Sequence, residues 1–445
     1  MDPVSRIISL GAAAGGDSYY VLEIGDDGSA NYGVGYGIDA DSDGNTYIAG
    51  TIGADGYYAK ILPSGNLDWD KEMVDGFCMN IYVGSDGIYM QGDSSGVCVF
   101  TKVSATDGSV TWQTGHTQSG TNWRRQGALD TSDNSMVACG FKAGSDFEGQ
   151  LGDGLQVKCN SAGAIQWQRY LGSGAHDSRN GAAIDVASGA GSRTSAGDIM
   201  HWSSYNPHGY SYDRVQLQRS TSSGTQPGSE YSCGFNNSSV DTPRGCKVSS
   251  TDDINVCGEY AGGGTYLRQM SAQVWRQVNF EKKYNTSGST FEGLIVDKSG
   301  AGSELDMIYA VGHTTNHGES WSEKAGLIVK YNNSGTIQWE RALALSNTDI
   351  QFLRAAVVED DLYLIGTKGT STTSRIVVFK IPKDGSMTGT QGSYIYKSLS
   401  LGDSSVSTSL SHISITNGTY TPDSNGTITK TFQDIAPTYN KQAVT

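Results

Sequence analysis

Two stretches of the chain carry side chains suited to recognising a ligand. One is His201-Trp-Ser-Ser-Tyr-Asn-Pro-His-Gly-Tyr-Ser-Tyr212, and the other is His313-Thr-Thr-Asn-His-Gly-Glu-Ser-Trp321. Tyr, Trp, His and Asn combine stacking area with hydrogen-bonding groups, which suits a sugar or a protein partner. Trp202, Tyr205, His208, Tyr210, His313, His317 and Trp321 are therefore the candidate binding residues. The competing reading is that both loops fold on themselves and pack on the scaffold. His313 and His317, spaced i and i+4, suit a metal only on a helix, and their segment is not helical.

Asp39, Asp41 and Asp43 precede Gly44, and carboxylates at alternating positions before a glycine suit calcium. An EF-hand would need Glu at the twelfth position from Asp39, where Gly50 stands. The alternative is an Asp-Gly turn between two strands, so no metal and no other cofactor is expected. The seven cysteines (78, 98, 139, 159, 233, 246 and 257) form no CxxC pair and are odd in number. They read as small buried hydrophobes in a chain folded in a reducing cytosol. No GxSxG, HExxH or P-loop occurs, and no Ser/His/Asp set can be singled out. The chain is expected not to be an enzyme.

The elements that must position these residues follow from composition and repetition. The 445 residues carry 31 Lys+Arg against 46 Asp+Glu, a formal charge of −15, with 59 Gly and 24 Tyr. Phosphate neutralisation needs basic clusters, so nucleic acid is not an expected partner. The pair Arg124-Arg125 beside Trp123 reads as solvated surface. No apolar run approaches the length of a membrane helix, so no membrane insertion is expected. The opening residues are a poor secretory signal, with one basic residue and a short apolar run.

Two landmarks recur along the chain. The first is a strand ending in glycine: Asn45-Thr-Tyr-Ile-Ala-Gly50, Gly87-Ile-Tyr-Met-Gln-Gly92, Ser135-Met-Val-Ala-Cys-Gly140, Asp253-Ile-Asn-Val-Cys-Gly258, Asp306-Met-Ile-Tyr-Ala-Val-Gly312 and Asp361-Leu-Tyr-Leu-Ile-Gly366. The second is a hairpin, Lys60-Ile-Leu-Pro-Ser-Gly-Asn-Leu-Asp-Trp69, which returns to Trp112, Trp167 and Trp339. Alternating apolar positions around a Ser-Gly or Asp-Gly turn indicate two antiparallel strands. Each unit thus reads strand a, strand b ending in Gly, a variable loop, strand c, a tight turn and strand d with Trp. Units run over 37–79, 80–125, 126–180, 181–244, 245–290, 291–351 and 352–389. Four strands per unit predict an all-β propeller of about seven blades, six or eight being the alternatives. Variable b–c loops on a rigid scaffold are where recognition is expected.

Gly37 to Thr51 followed by Tyr58 to Trp69 resembles the bacterial β-propeller repeat family abbreviated SBBP, a likeness that extends over most of 37–389. The resemblance implies a fold and no particular function. The Gly-x-aliphatic-x-Trp ending also resembles the tryptophan-docking motif of quinone-dependent dehydrogenases, where it locks blades together. Sialidase Asp boxes place Trp three after Gly rather than four, and no Arg cluster for a carboxylate is visible. Outside the repeat, residues 1–36 read as a docking arm with one strand-like run, Tyr19 to Ile24. The opening Gly-Ala-Ala-Ala-Gly-Gly-Asp-Ser-Tyr-Tyr resembles tail-associated proteins of marine and cyanobacterial phages. Residues 390–445 read as a C-terminal β appendage with hairpin turns at Asn417-Gly418 and Asn425-Gly426.

Cytosolic synthesis, an acidic rigid β scaffold and terminal segments suited to docking together predict a bacteriophage virion structural protein. A tail component of fibre or adaptor type is expected, assembled in the host cytoplasm and homo-oligomeric. Its expected partners are other virion proteins and a host surface glycan or protein. The alternatives are a bacterial cell-surface or secreted propeller that binds a ligand, and a capsid decoration protein.

Overall fold

The computed structural model describes residues 4–12, 18–25, 32–94, 97–117, 121–142, 153–172, 176–191, 194–206, 214–223, 232–236, 242–259, 264–271, 277–284, 288–369, 373–391, 393–405, 409–412, 416–419, 424–426, 432–434 and 438–439. Six sheets each begin with a contiguous four-stranded meander, and they are called blades 1 to 6. Their inner strands are Gly33–Ala40, Phe77–Gly84, Thr121–Asp130, His176–Val186, Thr242–Val248 and Ser289–Asp297. A composite sheet closes the circle. It joins Ile350–Val358, Asp361–Lys368 and Arg375–Pro382 to the N-terminal strand Ser18–Gly25. Each inner strand contacts the next, and Ile350–Val358 contacts Gly33–Ala40, so the ring is complete. The chain is an all-β propeller.

The closing sheet corrects two expected boundaries. The arm at 1–36 does not stand outside the propeller, because Tyr20 to Ile24 pair with Lys380 to Ile376 and supply the fourth strand of that sheet. Unit seven is therefore not a contiguous blade, and the chain forms six contiguous four-stranded blades rather than the expected seven. Glu23 secures the join: its buried carboxylate accepts Lys368 Nζ at 2.6 Å and Tyr394 Oη at 2.6 Å, with Arg375 Nη1 at 3.6 Å. Inner strands also start upstream of the expected boundaries, at Gly33 rather than 37 and at Phe77 rather than 80. A register shift inside every inner strand breaks the alternation that would have marked its start.

Residues 390–445 form no separate appendage. Gly389–Gln391 and Tyr394–Ser398 extend blade 6, and Asp403–Ser405 pairs with the outer strand of blade 5. Ser409–His412, Thr416–Thr419, Ser424–Gly426 and Phe432–Asp434 then cap blades 4, 3, 2 and 1 in turn. Thr438–Tyr439 ends parallel to Val4–Ala12 on the closing sheet. The tail is a belt that runs once round the rim against the order of the blades. Asn417-Gly418 and Asn425-Gly426 lie within belt strands, not at hairpin turns. The unpaired outer edge of each blade is a ready template for a strand, and here it overrides the local turn preference.

Both faces of each blade are covered by neighbours, so the core is divided into wedges between blades. Ile38, Ile48, Tyr57 and Ile61 of blade 1 pack on Leu22, Tyr363, Ile365 and Ile376 of the closing sheet. Tyr47, Tyr58 and Trp69 of blade 1 pack on Ile81, Met90 and Val103 of blade 2.

The repeated tryptophans lock these wedges. Trp69, Trp112 and Trp167 each donate their indole N–H to a carbonyl in the next blade's c–d turn: Ala105 at 3.3 Å, Ser161 at 2.9 Å and Ser222 at 2.9 Å. Beneath the ring lies the turn glycine, as Gly108 lies under Trp69 and Gly385 under Trp339. Gly108 has φ of 69°, and a Cβ there would sit 2.7 Å from the Trp69 ring, so only glycine fits. Tyr20 over Gly65 and Phe280 over Gly335 are equivalents that carry no tryptophan.

The a–b turns on the same face form a second set of ties. Asp252 accepts hydrogen bonds from Ser188 N and Oγ, Gly189 N, Gly191 N and Thr194 Oγ1, all in blade 4, at 2.7–3.2 Å. Asp306 accepts Ser250 N at 2.7 Å and Oγ at 2.6 Å, and Asn134 donates to Ser85 Oγ at 2.7 Å. Part of the acidic composition is thus spent on joining blades.

The six described cysteines are buried free thiols, as expected. Burial pushes Cys78 and Cys159 up to about 12, far from the thiolate that reactivity requires.

Candidate functional site: the mouth of the central channel

Seven inner strands surround an axial cavity of about 80 Å³, lined among others by Asp39, Asn80, Tyr82, Lys247 and Arg354. The register shifts place one ring of small residues around the axis. Gly37, Gly127, Gly245 and Gly293 stand immediately past the shift in four of the strands. Their lack of a Cβ lets neighbouring strands approach: a Cβ at Gly37 would lie 2.9 Å from Asn80 Cα, and one at Gly245 would lie 3.0 Å from Gly293 Cα. A Cβ at Gly293 would lie 3.4 Å from Arg354 Cδ, so this glycine also leaves room for that side chain. Arg354 Nη1 donates to Glu292 O at 2.7 Å and to Leu353 O at 2.6 Å, fixing the guanidinium at the level of the ring.

Above this ring, towards the b–c loops, the skipped residues of the inner strands form the mouth. Arg244 occupies this position in blade 5 and Glu292 in blade 6. Arg244 lies 3.2 Å from Glu259 and 3.6 Å from Glu292, and Gln351 Nε2 donates to Glu292 Oε1 at 3.2 Å. Arg124 and Arg125 fall within the same shift in blade 3, and Arg179 within that of blade 4. Arg124-Arg125 thus belongs to the inner strand Thr121–Asp130, and the side chains of this pair lie outside the described residues. No short motif signals the ring of small residues; the one local cue is a glycine or other small residue just before the aliphatic half of each inner strand.

Below the ring, Asp39 Oδ2 accepts Val83 N at 2.8 Å and Oδ1 accepts Ala40 N at 2.9 Å. Burial holds the Asp39 carboxyl above the usual carboxylate range, and these two bonds together with Lys247 oppose that shift. Lys247 lies 3.5 Å from Asp185, whose other oxygen accepts Val248 N at 2.9 Å. Asp41, by contrast, belongs to its turn, accepting Asp43 N, Asn45 N, Asn45 Nδ2 and Tyr47 Oη. Among the described residues no group of three or more His, Cys, Asp or Glu is placed to hold a metal.

The residues expected to bind a ligand are divided between two blades that are not neighbours. Trp202 and Tyr205 lie on the second strand of blade 4, opposite Ala183 and Asp177. His208 and Tyr210 lie outside the described residues. His313 is the penultimate residue of the second strand of blade 6, Met307–Thr314, where burial and then nearby Lys324 push its pKa down to about 4. Its Nδ1 has no hydrogen-bond partner among the described residues. His317 is buried in its own loop: Nε2 lies 2.8 Å from Glu323 O, and Nδ1 accepts Glu319 N at 3.3 Å. Its ring lies 5.8 Å from Trp321, which packs on Ala325, Ala342 and Ala344. This loop folds on itself and on the blade rim. On blade 1, Glu72 is raised to about 7 by burial and by the adjacent Asp55 carboxyl.

No protein-family model and no curated protein matches the chain. Among solved structures it is similar to an inactive virginiamycin B lyase from Staphylococcus aureus, at 12% identity over 82% of this chain and 99% of that one, with a TM-score of 0.47. It is also similar to a quinone-bound aldose sugar dehydrogenase from Streptomyces coelicolor, at 11% identity, 84% and 98% coverage and a TM-score of 0.41. The Dos1 propeller matches at 11% identity, 85% and 91% coverage and a TM-score of 0.41. Likenesses this distant carry no argument about activity, and the propeller architecture rests on the strand pairings. Among the described residues no helix is long and apolar enough to cross a membrane.

Proposed function

We propose that this chain is a non-catalytic structural propeller of a bacteriophage virion, a tail component of fibre or adaptor type. Its b–c face turns outward to meet a host surface glycan or protein. The observation that carries the reading is the use made of the chain's ends. The N-terminal strand closes the ring, and the tail covers the outer edge of every blade. Such a rim is protected from edge-to-edge association and leaves the two faces for assembly and recognition. The buried free thiols suit folding in a reducing cytosol before assembly. Several copies on one particle would turn weak contacts into avidity.

Immunogold labelling of purified phage particles with an antibody against this chain tests the proposal. Label at the tail is expected. Label on the capsid would replace tail attachment with decoration. No label on intact or disrupted particles would overturn the virion reading in favour of a cell-surface module. A fall in polysaccharide viscosity on incubation with the pure protein would overturn the non-catalytic part.

A further inference from the structure

The blade 6 loop, residues 315–324, joins Met307–Thr314 to Ala325–Tyr331. His317 ties the loop to itself, through Glu323 O and Glu319 N. At its ends, Thr315 N donates to Gly288 O at 3.1 Å and Lys324 N to Asp349 Oδ1 at 2.8 Å. Its tip is caught from the belt: Lys397 Nζ donates to Gly318 O at 3.0 Å and to Glu319 Oε1 at 2.8 Å. A Cβ at Gly318 would lie 3.1 Å from Lys397 Nζ, so the glycine leaves room for the ammonium. Behind the tip, Trp321 packs on Ala325, Ala342 and Ala344, a cluster that Leu399 of the belt also covers.

The two partners in this contact are not held equally. On the belt side, Tyr396 is buried in the core just before Lys397. Just after it, Leu399 N donates to Glu340 O, and Leu401 N and Gly402 N donate to the Glu340 carboxylate, at 2.8–3.1 Å. Tyr284 Oη donates to the same carboxylate at 3.1 Å. The belt is thus fixed on both sides of Lys397. The loop carries the His317 bonds with it if it moves, and the Lys397–Glu319 pair is 35% and 25% exposed, so little free energy holds the tip.

We propose that residues 315–324 form a lid and that Lys397 is its catch. Opening breaks the two Lys397 bonds, swings the loop about its ends and lifts the Trp321 ring off the three alanines. The open state presents an indole face and an apolar floor, chemistry suited to the ring of a sugar. That use rests on the b–c face being the recognition face. The motion itself belongs to the isolated chain, so its test stands whatever immunogold labelling finds.

Hydrogen exchange of the full chain, read on peptides covering 315–323, tests the proposal. Lys397→Met should speed exchange there about fivefold, while exchange in Ala325–Tyr331 and the unfolding midpoint stay as in the wild type. Lys397→Arg, which keeps the donors, should exchange as the wild type. Lys102→Met, which breaks the 2.7 Å pair with Asp86 on blade 2, should leave the loop unchanged. In protein labelled with 5-fluorotryptophan, the Trp321 resonance, assigned through Trp321→Phe, should move towards its solvent-exposed position in Lys397→Met. Unchanged loop exchange in Lys397→Met would overturn the proposal, as would an unmoved Trp321 resonance. Equal acceleration in Ala325–Tyr331 would also overturn it, because the lysine would then support the whole blade rather than a lid.

Discussion

On one face of the disc the turns are short and tied from blade to blade; on the other the loops differ in length and Arg244 pairs with Glu259 and Glu292 at the channel mouth. The tied face uses aromatic rings over turn glycines and carboxylates reaching back into the previous blade. These contacts bury groups in fixed geometry, so substitution there disturbs the assembly of the ring. The mouth face uses ion pairs that remain partly exposed, such as Arg244 with Glu259. Exposed pairs contribute little to stability, which leaves their residues available for recognition.

The strongest way to break this comparison is at Gly108. Gly108→Val forces a branched side chain into a left-handed conformation against Trp69, at a cost of about 4 kcal/mol in urea unfolding. Gly302→Val is the control, because Gly302 also has positive φ but nothing within 4 Å of its Cβ position; about 1–2 kcal/mol is expected there. Equal losses for the two would show that docking of the ring adds nothing.

Asp252→Ala should cost about 3 kcal/mol at pH 7, because five donors lose their acceptor. Burial alone would raise the Asp252 carboxyl, but the bonds from Thr194, Ser188 and Gly191 outweigh it and hold the pKa below the usual value. Its stabilisation is therefore present above the unfolded value near 4 and is lost as pH falls through the lower, folded one. Acid unfolding of the variant should be less steep in that window.

The mouth face has its own pH signature. His313 is held neutral, its pKa falling from 6.5 to about 4. The unfolded chain takes up the proton first, so stability falls as pH drops from about 6.5 towards 4, by on the order of 2 kcal/mol. His313→Asn should flatten that slope while leaving the lower Asp252 window intact. Arg244→Gln should move the unfolding free energy by less than about 0.5 kcal/mol. Glu72 acts in the opposite sense to His313: its raised pKa means that stability declines as pH rises from the usual carboxylate range towards about 7, and Glu72→Gln should remove that decline.

The blades were legible because strand b and the c–d hairpin carry their own signals, alternation and an Asp-Gly or Ser-Gly turn. Trp69, Trp112, Trp167 and Trp339 were legible for the same reason, whereas Tyr20 and Phe280 were not. What the lock requires is a flat ring over a glycine, and three residue types provide one. The inner strands were poorly legible because the shift at Tyr36 or Met79 interrupts their period. The mouth was invisible for a different reason: Arg244, Glu292 and Arg354, from two blades and the closing sheet, meet only when the ring closes. The belt left no pattern because its segments of two to five residues are too short to show a period, and they join the blade edges through backbone pairing.

The direction of the belt sets a timetable for synthesis. Blade 1 is the first to leave the ribosome, yet its outer edge is capped by Phe432–Asp434, while blade 6, made much later, is capped first by Tyr394–Ser398. The oldest blade thus waits longest with an open edge. A nascent chain stalled before residue 432 would expose that edge to any strand nearby, which makes early blades the point where chaperone binding or premature pairing would act.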